Sequence, residues 1–125
     1  MWDIFLVGVG GCLGAQARYG FSNFSAAKFG VAFPYGTFII NLSGSFLLGL
    51  FLGLVSQNIL AEESYRWLFA AGFCGGYTTF STYAFETLRL LKEGKAVRAL
   101  AGYLVGSYLA GLVAALGGFW LGTIF

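Results

Sequence analysis

Hydroxyls, amides and aromatic rings make up the chemical inventory of this 125-residue chain. Thr37, Asn41 and Ser45 are four residues apart, Thr79, Thr82 and Glu86 follow one another at helical spacing, and Tyr103 and Ser107 are again four apart. Such spacing puts each set on one face of a helix. With Ser81, the three edges offer mainly O–H and N–H donors, beside one arginine, Arg18, and one deep carboxylate, Glu86. Donors suit an anion. Ring edges carry the positive end of the aromatic quadrupole, so Phe80 and Tyr83 also suit an anion, with ordinary packing as the competing reading of both. The chain has no histidine, and Cys12 and Cys74 lie far apart, which excludes zinc or haem ligand spacing. A net charge of +2, thinly spread, excludes a nucleic-acid surface.

The elements that position these groups follow from composition. With 58% hydrophobic and 10% charged residues and a mean hydropathy of +0.80, the chain reads as an integral membrane protein. A bilayer core of about 30 Å needs roughly 20 helical residues per crossing, so the length holds about four spans. We place them at residues 3–25, 34–55, 66–91 and 97–123, one transmembrane domain over 1–125. Met1-Trp2-Asp3 lacks the basic start of a signal peptide, so the first segment is expected to be retained.

The uncharged run from Ile4 to Ala17 is too short to cross and must continue through Arg18. That guanidinium either snorkels to the headgroups or faces a protein or water cavity. Gly10 and Gly14 give small residues four apart, the pattern of close helix contact, and Gly49 with Gly53 and Gly102, Gly106 and Ala110 repeat it. Pro34 opens the second span, where a missing amide donor is tolerated. Arg66 and Trp67 anchor the third at the interface. Arg89, Lys92, Glu93, Lys95 and Arg98 form a basic connector before the uncharged run from Ala99 to Phe125.

Gly72 to Glu86 departs most from a lipid-facing helix. It carries the Gly75-Gly76 pair, a cluster of hydroxyls and a carboxylate, and polar irregular backbone survives in hydrocarbon only where protein or water surrounds it. A helix break at Gly75-Gly76 is expected, and its carbonyls suit a cation. In Asn41, the alternatives are interhelical glue and the lining of a polar path.

Gly-Gly-Tyr-Thr-Thr-Phe-Ser-Thr-Tyr at Gly75 to Tyr83 closely resembles the third-helix motif of the Fluc fluoride-channel family, also called CrcB. Gly36 to Phe46 resembles its second-helix motif, and Gly14 to Tyr19 its first. The resemblance implies an all-α integral membrane fold with four transmembrane helices per subunit, a break in the third, and an antiparallel, dual-topology homodimer with two fluoride pores. It puts the pore asparagine at Asn41 and the paired pore phenylalanines at Phe80 and Tyr83, the second a departure from the usual Phe. The polar track falls on Ser81 and Thr82, the fourth-helix hydroxyls on Tyr103 and Ser107, and the vestibule arginine on Arg18. It also implies a structural Na+ at the dimer interface, held by main-chain carbonyls of Gly75 and Thr78.

The expectation is a passive fluoride channel in the cell inner membrane, without catalysis, partnered by fluoride, lipid and a second copy of itself. A small proton-coupled multidrug exporter is the alternative, but it needs a carboxylate in the first span, and Ile4 to Ala17 has none. A non-transporting assembly subunit is a third reading. Lys28, Arg89, Lys92, Lys95 and Arg98 share one side against Arg66 alone, so the positive-inside rule taken literally puts both termini outside, whereas the resemblance implies both orientations.

Overall fold

A computed structural model describes residues 1–94 and 97–125, so Lys95 of the basic connector lies outside the described residues. The described residues form helices joined by short turns: α1 (Trp2–Phe29), α2 (Tyr35–Ser56), α3 (63–77), α4 (Phe80–Lys92) and α5 (Val97–Gly122). α3 is composite, with single α-turns at Glu63–Tyr65 and Gly75–Tyr77 flanking a π-wound stretch, Arg66–Cys74. Pro34 is the N-cap of α2. Gly30, at φ 74°, ends α1 in the left-handed region that only glycine enters freely.

By length and composition α2 and α5 can each cross a membrane, with mean hydropathies of 2.1 and 1.8 over their most apolar windows. At 28 residues α1 is long enough, but it carries Asp3, Gln16, Arg18 and Lys28. The third expected span, residues 66–91, is divided between α3 and α4 and is interrupted between them. Leu13, Val105, Leu112, Leu116 and Trp120 are among many large apolar side chains that face outward, as hydrocarbon solvation requires.

Glycines set the packing in two tight pairs. A Cβ on Gly10 or Gly14 of α1 would collide with the main-chain oxygens of Leu68 and Phe73, and one on Gly76 would collide with that of Gly11. α1 and α3 therefore touch backbone to backbone. α2 and α5 meet the same way, Gly49 and Gly53 against Ala115 and Phe119, Gly118 and Gly122 against Phe46 and Leu50. Within the single chain the close edge of the last helix is its C-terminal half: at Gly102 and Gly106, expected to form it, an added Cβ would meet nothing within 4 Å among the described residues. A column of rings ties the pairs together, with Phe51 on Phe69 (5.3 Å), Phe69 on Phe73 (5.5 Å) and Phe73 on Tyr77 (5.7 Å). Tyr77 Oη then meets Ser43 Oγ at 3.0 Å.

The third crossing is broken, but not at the glycine pair. Gly75 keeps helical angles (φ −63°, ψ −39°), whereas Thr78 (ψ 158°) and Thr79 (φ −147°, ψ 122°) are extended. Gly76 is needed for contact with Gly11, and a β-branched residue takes the extended turn readily. Thr79 then restarts the helix, its Oγ1 accepting the Thr82 amide at 3.2 Å as an N-cap.

Candidate functional site

The break is fastened from two neighbouring helices. From α2, Asn41 donates Nδ2–H to Thr79 O at 3.0 Å, and its Oδ1 accepts the Thr79 N–H at 2.8 Å. The amide thus takes the place of a neighbouring strand, pairing both polar groups of an extended residue that is only 7% exposed. From α1, Arg18 Nη1 donates to Thr78 O at 3.3 Å. Thr78 Oγ1 donates to Cys74 O at 2.9 Å, closing the end of α3 on itself.

Beside the break lies a cavity of about 400 Å³. Asn41, Phe80, Tyr83 and Ser107 line it, with Ser45 and Thr79, and among the described residues its lining includes no Asp, Glu, Lys or Arg. Asn41 has one amide N–H left over after pairing with Thr79. Ser107 Oγ is buried and has no hydrogen-bond partner among the described residues. Phe80 is 79% exposed in the single chain, with its ring 6.0 Å from that of Tyr83. Tyr83 spends its hydroxyl on Leu104 O at 3.2 Å, so ring rather than hydroxyl is what it has left to offer the cavity.

A second cavity, of about 260 Å³, opens between the α1–α2 connector and α4. Thr37, Thr82, Glu86 and Arg89 are in its lining. The two linings come within a hydrogen bond of each other at the cap of α4, where Thr79 Oγ1, of a residue in the first lining, donates to Thr82 Oγ1, of a residue in the second, at 3.0 Å. A pair of hydroxyls therefore links the two linings.

The sequence-derived site residues separate between the two cavities. Asn41, Phe80, Tyr83 and Ser107 come together at the first cavity, and Thr82 at the second. Ser81 lines neither, although its Oγ lies 3.3 Å from Thr79 Oγ1. Tyr103 is also off both linings: it is 1% exposed, its ring is 5.2 Å from Tyr83, and its Oη donates to Glu86 Oε2 at 2.9 Å. Arg18 lines neither cavity and reaches the break instead. Gly75 and Thr78 both border the first cavity.

The family model described as CrcB-like protein, Camphor Resistance (CrcB), matches residues 5–119. The chain belongs to this family. Among its relatives is a protein of Chloroflexus aurantiacus named fluoride-specific ion channel FluC, 43% identical over 125 residues and matched over 100% of this chain and 98% of its own. One of the same name from Koribacter versatilis is 43% identical over 111 residues, covering 89% and 87%. Another from Aquifex aeolicus is 36% identical over 122 residues, covering 98% of both.

Within this CrcB-like chain, two residues that sequence spacing undervalued organise the site. Thr79 is the cap, the partner of Asn41 and the link between the two linings, and its signal was a threonine three residues before a helical hydroxyl. Arg89 shares a helix face with Thr82 and Glu86, legible as a seven-residue spacing but masked by the other cations of its connector.

Proposed function

We propose that the chain is the subunit of a passive, fluoride-selective channel that lets the ion leave the cell and so lowers its cytoplasmic concentration. The observation that carries this reading is the first cavity: Asn41, Ser107 and the rings of Phe80 and Tyr83 converge there with neutral donors and no carboxylate. Neutral donors in a partly dry site replace the water of a small, hard anion without holding it as a fixed cation would. The names of the relatives, fluoride-specific ion channel FluC, support the same ion. The exporter alternative is disfavoured, because it needs an acid in its binding site, whereas no carboxylate among the described residues lines the first cavity and Glu86, in the lining of the second, accepts from Tyr103.

In this reading the protein is a multi-pass protein of the cell inner membrane, and it works as an antiparallel, dual-topology homodimer. Outward-facing Phe80, Tyr108 and Gly75 on the open side of the first cavity support a second copy that closes it. The structural sodium ion fits as a shared site. Thr79 N–H, which would pair with Gly75 O in a continued helix, goes to Asn41 instead, and Thr78 O accepts a long bond from Arg18 Nη1 at 3.3 Å. A hard cation takes several oxygen ligands, so the Gly75 and Thr78 carbonyls of one chain make half of such a site and a second copy the rest.

Fluoride efflux from proteoliposomes, read with a fluoride electrode, is the test. Brisk fluoride efflux with no matching chloride flux is expected. Equal chloride flux would remove selectivity, proton-driven uptake of a cationic dye would restore the exporter, and an absence of any ion flux would leave an assembly subunit.

A further inference from the structure

Charge is segregated between the two ends of the chain. Arg89 Nη2 donates to Val31 O at 2.8 Å, which ties the last turns of α4 to the α1–α2 connector and puts Lys92 at the end where Lys28 closes α1. Arg98, in the first turn of α5, lies at this end too, because α4 leads into α5 there. The opposite end carries Asp3 in the first turn of α1, Glu62 and Glu63 at the start of α3, and Arg66. Near the basic end, Glu93 Oε1 stands 3.8 Å from Arg89 Nε, and Tyr103 donates to Glu86 Oε2. Arg89 is therefore spent on Val31 and Glu93, whereas Lys28, Lys92 and Arg98 have no carboxylate partner among the described residues.

Lys28 is held at a defined depth. Its Nζ stands 5.6 Å from the ring centres of both Phe24 and Phe29, within the roughly 6 Å at which a ring attracts a cation. Both rings face outward, 57% and 49% exposed, and Phe29 packs on Tyr35 at 5.7 Å. Aromatic residues collect at the boundary between acyl chains and headgroups, where a lysine lays its stem along apolar surface and lifts its ammonium to the phosphates. With both nearby carboxylates engaged, a zwitterionic head finds partners here for its phosphate but none for its ammonium. A head with net negative charge loses nothing.

We propose that Lys28, Lys92 and Arg98 form a docking surface for the headgroup of an anionic phospholipid, with the exposed rings of Phe24 and Phe29 against the upper part of its acyl chains. The partner is supplied by the bilayer itself, and the match is one of charge: three cations without acidic partners at one end of the chain, beside rings suited to the same depth. None of these residues lines either cavity, so the surface is separate from the proposed ion path. Each cation close to an anionic membrane surface is worth about fivefold in affinity.

The experiment is native mass spectrometry of the full chain in detergent, counting lipid adducts as phosphatidylglycerol or phosphatidylcholine is titrated in. The parent protein is expected to take the anionic lipid at about tenfold lower concentration than the zwitterionic one, with the gap narrowing as ionic strength rises. Lys28→Gln, Lys92→Gln and Arg98→Gln should each weaken the anionic lipid about two- to fivefold and leave the zwitterionic one unchanged. Lys28→Arg keeps the charge and should stay near the parent protein, and Arg66→Gln, at the opposite end, should not alter the preference. A ratio of two lipids measured on one preparation does not move through a change in stability alone. Equal affinity for the two lipids in the parent protein overturns the proposal. So does an Arg66→Gln variant that loses as much preference as Lys28→Gln, since net charge rather than a surface would then decide. Displacement of the anionic lipid by an equal concentration of inorganic phosphate would make this a free-anion site and overturn the lipid assignment. If one of the three variants does not assemble, the other two decide, and an unchanged preference in both overturns the surface.

Discussion

Replacing Asn41 by leucine, close to it in shape, separates fastening from ion binding at the break. The substitution deletes both bonds to Thr79, at 3.0 and 2.8 Å, and leaves an N–H and a C=O unpaired on a residue 7% exposed. Each unmade buried hydrogen bond costs about 1–3 kcal/mol, so the ceiling is about 2–6 kcal/mol. Part is recovered if Thr78 and Thr79 wind into helix and return the Thr79 N–H to Gly75 O, but that movement carries Phe80 away from the cavity. We expect a net loss of about 2–4 kcal/mol, a fall in melting temperature of roughly 10 °C followed by circular dichroism in detergent, and loss of fluoride efflux. Asn41→Asp supplies the contrast. It keeps the acceptor for Thr79 N–H, so it should lose less stability than Asn41→Leu, yet a carboxylate about 4 Å from a passing anion repels it by about 4 kcal/mol at an effective dielectric near 20 and should stop efflux all the same. Parent-like melting and parent-like efflux in Asn41→Leu would refute the account of the break.

Three further outcomes follow from the same contacts. Ser107→Ala removes a buried hydroxyl that has no partner among the described residues, so thermal stability should hold or rise by up to about 1 kcal/mol while efflux at low fluoride falls several-fold; a marked loss of stability would mean that Ser107 is packing glue. Gly118→Ala drives a Cβ into Phe46 O and should lower the melting temperature, whereas Gly102→Ala meets nothing within the described chain and should be neutral or slightly stabilising in detergent; a clear fall for Gly102→Ala would show that this face packs against something outside the single chain. Tyr103→Phe strips the donor from Glu86 Oε2, for which we expect a loss of about 1.5–3 kcal/mol and slower efflux, and parent-like values for both would remove the pair from any part in efflux.

The hydrophobic runs and the small-residue repeats were legible in the sequence because they are local: a helix long enough to cross a bilayer is written in consecutive residues, and close contact requires glycine wherever it occurs. The four-residue spacing of Thr37, Asn41 and Ser45 likewise put them on one face, and the motif at Gly75 to Tyr83 carried the family. What sequence spacing did not decide was where the third crossing breaks. Gly75 and Gly76 have the weaker helix propensity, but Gly76 is held in the helix by its contact with Gly11, and Thr78 and Thr79 are drawn out of it by Arg18 and Asn41, residues 60 and 38 positions away. Local preference was overruled by partners from two other helices. The same holds for the donors. Spacing gave Tyr103 and Ser107 equal claim on the polar path, yet Glu86 takes the hydroxyl of Tyr103, while Ser107, in the lining of the first cavity, has a buried hydroxyl without a partner among the described residues. Sequence alone therefore determined the membrane class, the helix faces and the inventory of donors. Which donors remain free for an ion was decided only in the tertiary structure, because a hydrogen bond consumed by one neighbour is lost to any other.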